Sequence, residues 1–253
     1  MNTIGTITLC KREIWRFMKV WNQTIIAPVV TSLIFLAVLT LAMGGASRTI
    51  EGFSYVQFIA PGLIMMAIVQ NAFANTSSSL MLAKIQGVII DLLMPPLSGA
   101  EITFALVVGG VVRGFCVGLA VAVALYVLVP FTIEHPIFAL FHIVAASIML
   151  ALLGVLGGVW AQTFDQIAAV TNYVITPFAF LSGTFYSIKA LPEFWYHLCH
   201  FNPFFYMIDG FRYAMIGYSD SSPMLGFAVM TSVNIVLWVV IQQMIKRGYR
   251  LKQ

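Results

Sequence analysis

Few residues in this chain are placed to do chemistry. His197 and His200 stand three apart, which brings two imidazoles onto one helical face, but only Glu193 offers a further ligand nearby. A zinc site needs three or four ligands, so no metal site is expected. Ser182-Gly183, near the outer end of an apolar stretch, invites comparison with an intramembrane serine protease. No Gly stands two residues before that Ser, and the last apolar stretch, 221–245, holds no His to act as base, so no catalytic residue is assigned. No G-x-x-x-x-G-K-[ST] loop occurs, and the chain cannot hydrolyse ATP by itself. Cys10, Cys116 and Cys199 fall in three different regions, so an intrachain disulfide is not expected.

The elements that carry these residues belong to a bilayer. The 253 residues are 60% hydrophobic and 9% charged, with mean hydropathy +0.95, against about 25% charged residues in an ordinary soluble domain. The 22 charged side chains, 13 basic and 9 acidic, cannot cover a water-soluble body of this size. Stretches 20–47, 52–83, 135–164, 166–188 and 221–245 contain no charge, and 102–133 contains only Arg113. Each is long enough to cross a hydrocarbon core about 30 Å thick as a helix. The expectation is an all-α integral membrane protein with six transmembrane helices over 22–43, 55–79, 101–129, 136–162, 168–188 and 221–245.

Basic residues are retained on the cytoplasmic side of such proteins. Lys11, Arg12, Arg16, Lys19, Lys84, Lys246, Arg247, Arg250 and Lys252 fall on one side and Arg48, Lys189 and Arg212 on the other, which makes both termini cytoplasmic. The outer side carries five acids, so the basic pI does not point to nucleic acid.

Residues 1–21 are not a signal peptide, because charges and apolar residues are interspersed. Ile4, Ile7, Ile14, Trp15, Met18 and Trp21 share one helical face, and Arg12, Arg16 and Lys19 cluster on another. An amphipathic helix lying on the inner membrane surface follows. Loop 80–100 is cytoplasmic yet apolar. Ile89, Leu92, Leu93 and Leu97, with Pro95-Pro96 ending the helix, form a peg suited either to a groove in a partner or to lipid. Segment 189–220 is rich in Phe, Tyr and Trp, and Asn202-Pro203 breaks it into two short external re-entrant helices. Arg212 is expected to pair there with Asp209 or Glu193.

Arg113 is the one charge deep in a span, about 18 Å along the helix from Glu101. Burying it costs at least about 2.5–3.5 kcal/mol, so it needs a partner or water. Two readings stand: contact with an anionic headgroup of a substrate, or a structural lock on helix-end carbonyls or Glu101. Gly110, Gly114 and Gly118 would aid the lock by allowing close helix approach.

Five segments, in this order, resemble the ABC-2 type transporter permeases, membrane subunits of bacterial exporters of drugs and lipo-oligosaccharides. They are Gly52-Phe53-Ser54-Tyr55-Val56-Gln57-Phe58-Ile59-Ala60-Pro61-Gly62-Leu63-Ile64-Met65-Met66, Asp91-Leu92-Leu93-Met94-Pro95-Pro96, Gly109-Gly110-Val111-Val112-Arg113-Gly114, Leu181-Ser182-Gly183-Thr184-Phe185-Tyr186-Ser187, and Asn202-Pro203 followed by Gly210-Phe211-Arg212-Tyr213. The resemblance implies one transmembrane domain over 1–253, present as a homodimer in the inner membrane with two copies of a separate ATPase that binds ATP and Mg. It implies a coupling helix over about 84–97, which holds Lys84, Ile89, Asp91, Leu92, Leu93, Pro95 and Leu97. Relatives often carry paired acids where Ile89-Ile90 precede Asp91. The path for an amphipathic or lipid-linked substrate would lie between the two copies, lined by spans one, two and five. Asn71, Phe73, Asn75 and Thr76 supply its mixed face, although Asn in a span also serves helix-to-helix hydrogen bonding. A passive channel or ion-coupled carrier is the alternative, and the lack of any acid near a span centre speaks against it.

Overall fold

The computed structural model describes residues 2–42 and 49–247, without the side chains of Leu92 and Leu93. Arg48, Arg250 and Lys252, used above for orientation, lie outside the described residues. Helix α1 (Thr3–Met18) leads through a π-turn (Asn22–Ile26) into α2 (Ala27–Ala42). A two-stranded hairpin, β1 (Thr49–Ile50) and β2 (Phe53–Ser54), turns at Glu51-Gly52, both with positive φ. Ser54 then caps α3 (Tyr55–Ile85) by accepting from the Gln57 amide.

Short α4 (Ile89–Leu93) precedes α5 (Gly99–Leu128), and α6 (Pro136–Trp160) follows. Ser98 and Glu101 form a reciprocal capping box at the start of α5. The chain continues through α7 (Phe164–Val170), a π-turn (Thr171–Ile175) and α8 (Thr176–Leu181). It ends with α9 (Glu193–His200), α10 (Pro203–Ile216) and α11 (Pro223–Lys246).

Among the described residues, five helices are long and apolar enough to cross a membrane: Asn22–Ala42, Tyr55–Ile85, Gly99–Leu128, Pro136–Trp160 and Pro223–Lys246. The stretch expected to be the fifth of six spans, 168–188, is helical only to Leu181 and changes register at its π-turn. The helix there runs without a gap from Phe164 to Leu181 through a π-turn followed by Pro177, the same arrangement that Asn22–Ile26 and Pro28 make in the first span.

Helix α3 is the centre of the bundle, packed by α5 and α6 along its length. In lipid, apolar surface alone does not drive helices together, and close backbone approach does. A Cβ added at Gly154 of α6 would lie 2.6 Å from the Phe73 carbonyl oxygen, and one at Gly110 of α5 would lie 3.1 Å from that of Ala72. Thr76 Oγ1 donates to the Ala151 carbonyl at 2.8 Å and fixes the α3–α6 register. A second core cluster joins Leu9 of α1 to Leu80, Leu106, Leu152 and Ile241.

Candidate functional site

Helix α1 exposes one face and packs another on the bundle. Ile4, Ile7, Trp15, Met18 and Trp21 are exposed, as its apolar arc requires, while Leu9, Glu13 and Phe17 are buried against the bundle. The spacing of four places those three on one stripe. Fully buried Glu13 accepts from Arg12 Nη2 at 2.9 Å, from Arg16 Nε at 3.3 Å and from Ser79 Oγ of α3 at 2.9 Å. Arg16 also reaches α3, donating to Asn75 Oδ1 at 3.1 Å and to Ser78 Oγ at 3.1 Å. Arg16 is therefore turned into the protein, not toward solvent with Arg12. The sequence reading passed over Glu13. Its signal is an acid standing alone among basic residues on the Leu9–Glu13–Phe17 stripe.

The N-terminus of α1 is tied to the exit of the 80–100 loop. Glu101 accepts from the Asn2 amide at 2.6 Å and from the Ser98 amide at 2.7 Å, and Leu97 packs against Gly5. Within the loop, the helix is Ile89–Leu93, shorter than the 84–97 expected, because α3 runs on to Ile85 and Gly87 turns the chain with φ +71°. Ile90 is 57% exposed and Met94 75% exposed, Asp91 and Pro95 are exposed, and Ile89 and Leu97 are half-buried. The exposed apolar tip is thus Ile90 and Met94; the side chains of Leu92 and Leu93 lie outside the described residues. Lys84 Nζ donates to the carbonyls of Val159 and Ala161, so it closes the end of α6.

A cavity of about 410 Å³ opens between α2, α3 and α8. Its polar wall is Gln23, Thr31, Ser32, Gln70, Asn71 and Thr176, its apolar wall includes Leu63, Met66, Phe35, Phe180 and Phe185, and no lining residue is charged. Of the four residues expected on a path, Asn71 lines this cavity. Phe73, Asn75 and Thr76 do not: Phe73 packs on Gly154 and Gly157, Thr76 bonds α6, and Asn75 meets Arg16. They lie on the faces of α3 that pack against α1 and α6.

Arg113 donates through Nε (3.2 Å) and Nη2 (2.9 Å) to Asn71 Oδ1, and Asn71 Nδ2 passes the chain on to the Ala67 carbonyl at 3.0 Å. The expected lock on Glu101 is not formed, because that carboxylate caps α5 one end away. A neutral amide on the neighbouring helix serves instead.

On the opposite end, Arg212 is fully buried and makes no ion pair with Asp209 or Glu193. It donates to the carbonyls of Phe58 at 3.3 Å and Gly183 at 2.6 Å and sits 4.1 Å from the centre of the Phe58 ring. Asp209 instead accepts the amides of Asp220 (2.8 Å) and Ser221 (3.0 Å), which fastens the loop after α10. Glu193 is exposed and, among the described residues, is paired only with His197. Asn202 caps α10 and donates to the Phe178 carbonyl at 2.9 Å and Ser182 Oγ at 2.8 Å, which occupies the serine considered as a nucleophile. The aromatic belt divides: Phe194, Trp195 and Phe201 of the α9 region are exposed, while Phe204, Phe205, Tyr206 and Phe211 of α10 are buried.

Residues 5–216 match the family described as ABC-2 type transporter. The chain is 39% identical over 241 residues to the inner membrane transport permease YadH of Escherichia coli strain K12, covering 95% of this chain and 94% of that protein. The YadH of Shigella flexneri matches to the same extent. Nodulation protein J of Rhizobium leguminosarum bv. viciae is 23% identical over 233 residues, covering 90% of each chain. With its apolar helices and these matches over nearly its whole length, the chain belongs to the ABC-2 type transporter family of membrane permeases.

Proposed function

We propose that this chain is the non-catalytic transmembrane subunit of an ATP-driven exporter in the bacterial inner membrane. It works as a homodimer with two copies of a separate ATPase that binds ATP and Mg, and both its termini are cytoplasmic. The substrate is amphipathic or lipid-linked, moving along the cavity between α2, α3 and α8, whose uncharged half-polar walls suit such a molecule. Family membership supports the ATPase partner.

The observation that carries the reading is α4. A five-residue helix that leaves Ile90, and Met94 just past its end, exposed is unfavourable in water alone, and it has the shape of a peg for a partner's groove. Behind it, the Glu13–Arg16 network and the Asn2–Glu101 contact tie both neighbours of the peg to α1. Movement of the peg therefore reaches α3 and α5 as tilting of whole helices.

The test is copurification with an ATPase encoded beside this chain. Ile90→Asp with Met94→Asp should reduce recovery of the ATPase at least about tenfold while the permease stays monodisperse, since each buried charge costs over 1.4 kcal/mol at such an interface. Unchanged recovery would remove α4 as the coupling element.

A further inference from the structure

A second pocket, about 320 Å³, lies between α1 and the junction of α3 with α4. Arg12, Trp15, Arg16 and Lys19 form one wall, and Ser79, Leu82, Ala83, Gln86 and Val88 form the other. Three cations face it against one carboxylate, Glu13, which is wholly buried behind them. The donors are not equally committed. Arg16 spends its guanidinium on Glu13, Ser78 and Asn75. Arg12 uses Nε and Nη2 on Glu13, so Nη1 is uncommitted, and the Lys19 side chain makes no hydrogen bond or ion pair among the described residues. The exposed rings of Trp15 and Trp21 set this level of α1 at the boundary between headgroups and acyl chains.

We infer that this pocket seats the headgroup of an anionic phospholipid, with Arg12 and Lys19 holding the phosphate and Trp15 flanking the glycerol region. Basic pockets between helices at the cytoplasmic surface recognise such headgroups. The seat adjoins Val88, the residue before α4, so the lipid bridges α1 to the coupling peg. A bilayer component would thereby set the spacing of the two elements through which the ATPase acts. The inference rests on the cytoplasmic placement of α1 proposed above.

The test is lipid retention by the purified full-length chain in a neutral maltoside detergent, counted by native mass spectrometry after exchange with phosphatidylglycerol or phosphatidylcholine. One phosphatidylglycerol per chain is expected, with phosphatidylcholine washed away. Arg12→Gln with Lys19→Gln should weaken phosphatidylglycerol binding about 30-fold, from about 1 kcal/mol for each cation at a lipid surface. Lys11→Gln with Arg247→Gln removes the same charge elsewhere and should leave retention intact. Equal retention by both double variants, or loss in both, overturns the seat. Displacement of the lipid by inorganic phosphate at equal affinity would assign the pocket to a soluble anion and also overturn it. Reaction of Cys10 with an impermeant maleimide added outside intact cells would overturn the placement of α1 instead, independently of the lipid count.

Discussion

Ser79 Oγ donates to Glu13 Oε1 at 2.9 Å, joining two residues 66 positions apart. With Arg16 reaching Asn75 and Ser78, this makes α1 part of the bundle at its charged level. Removing the carboxylate leaves Arg16, about a quarter exposed, and the buried Ser79 hydroxyl without their acceptor, at about 1–3 kcal/mol. Glu13→Ala should lower the thermal midpoint of the detergent-purified permease by several degrees. Glu13→Gln, which keeps an acceptor for Ser79, should lower it by less. If the two variants unfold together with wild type, the network contributes nothing to stability.

Arg113 and Asn71 form an asymmetric pair, because the cation depends on the amide more than the reverse. Asn71→Leu strands a cation in the span, at about 2.5–3.5 kcal/mol. The double variant Asn71→Leu with Arg113→Leu should be more stable than Asn71→Leu alone, by roughly the same amount. Denaturant unfolding of the single and double variants in bicelles measures this, and a double variant no more stable than the single would show that Arg113 finds other solvation.

Gly154 and Gly157 are three apart on α6 and differ in what they face. A Cβ at Gly154 would lie 2.0 Å from Thr76 Oγ1 and 2.6 Å from the Phe73 carbonyl oxygen, whereas one at Gly157 would have 3.6 Å to its nearest neighbour. Gly154→Ala should destabilise by about 1–3 kcal/mol, as overpacking does. Gly157→Ala should be near neutral. Size-exclusion profiles after graded heating separate the two.

Arg212 donates from one planar fork to carbonyls on two different segments and lies over the Phe58 ring. Lysine has neither the fork nor the flat face. Arg212→Lys should therefore cost about 2 kcal/mol, on the scale of charge-assisted hydrogen bonds, while Glu193→Gln, which alters only an exposed contact with His197, should cost nothing measurable. Thermal midpoints of the two variants decide it.

These contacts show what a sequence can and cannot reveal here. The apolar stretches are long and uninterrupted by charge, so a 3.6-residue period and the thickness of a bilayer locate them without tertiary information. The exposed arc of α1 was legible for the same reason: Ile4, Ile7, Trp15, Met18 and Trp21 repeat at helical spacing, with Ile14 half-buried at its edge. That Arg113 needs a partner was also legible. The partner itself was not, since Asn71 is 42 positions away and chemically plain. Likewise nothing local distinguishes Asn71, which lines the cavity, from Asn75, one turn on, which turns to Arg16. Arg212 was matched to carboxylates on charge alone; its hydrogen bonds go to the carbonyls of Phe58 and Gly183, while Asp209 and Asp220 act on it only through their charge. The π-turns in the first and fifth stretches escaped notice because hydropathy does not register a change of helical repeat.

The two π-turns have a mechanical consequence. Each is followed within two residues by a proline, Pro28 after Asn22–Ile26 and Pro177 after Thr171–Ile175, and each proline omits one rung of the backbone ladder. Both stretches border the cavity, at Gln23, Ala27 and Pro28 on one flank and Thr176 on the other. The third flank, α3, is sutured to α5 and α6 through Gly110 and Gly154. Each of the cavity's three staves thus carries a proline, Pro28, Pro61 and Pro177, but only the two outer ones pair it with a π-turn, and only α3 is backed by close glycine contacts.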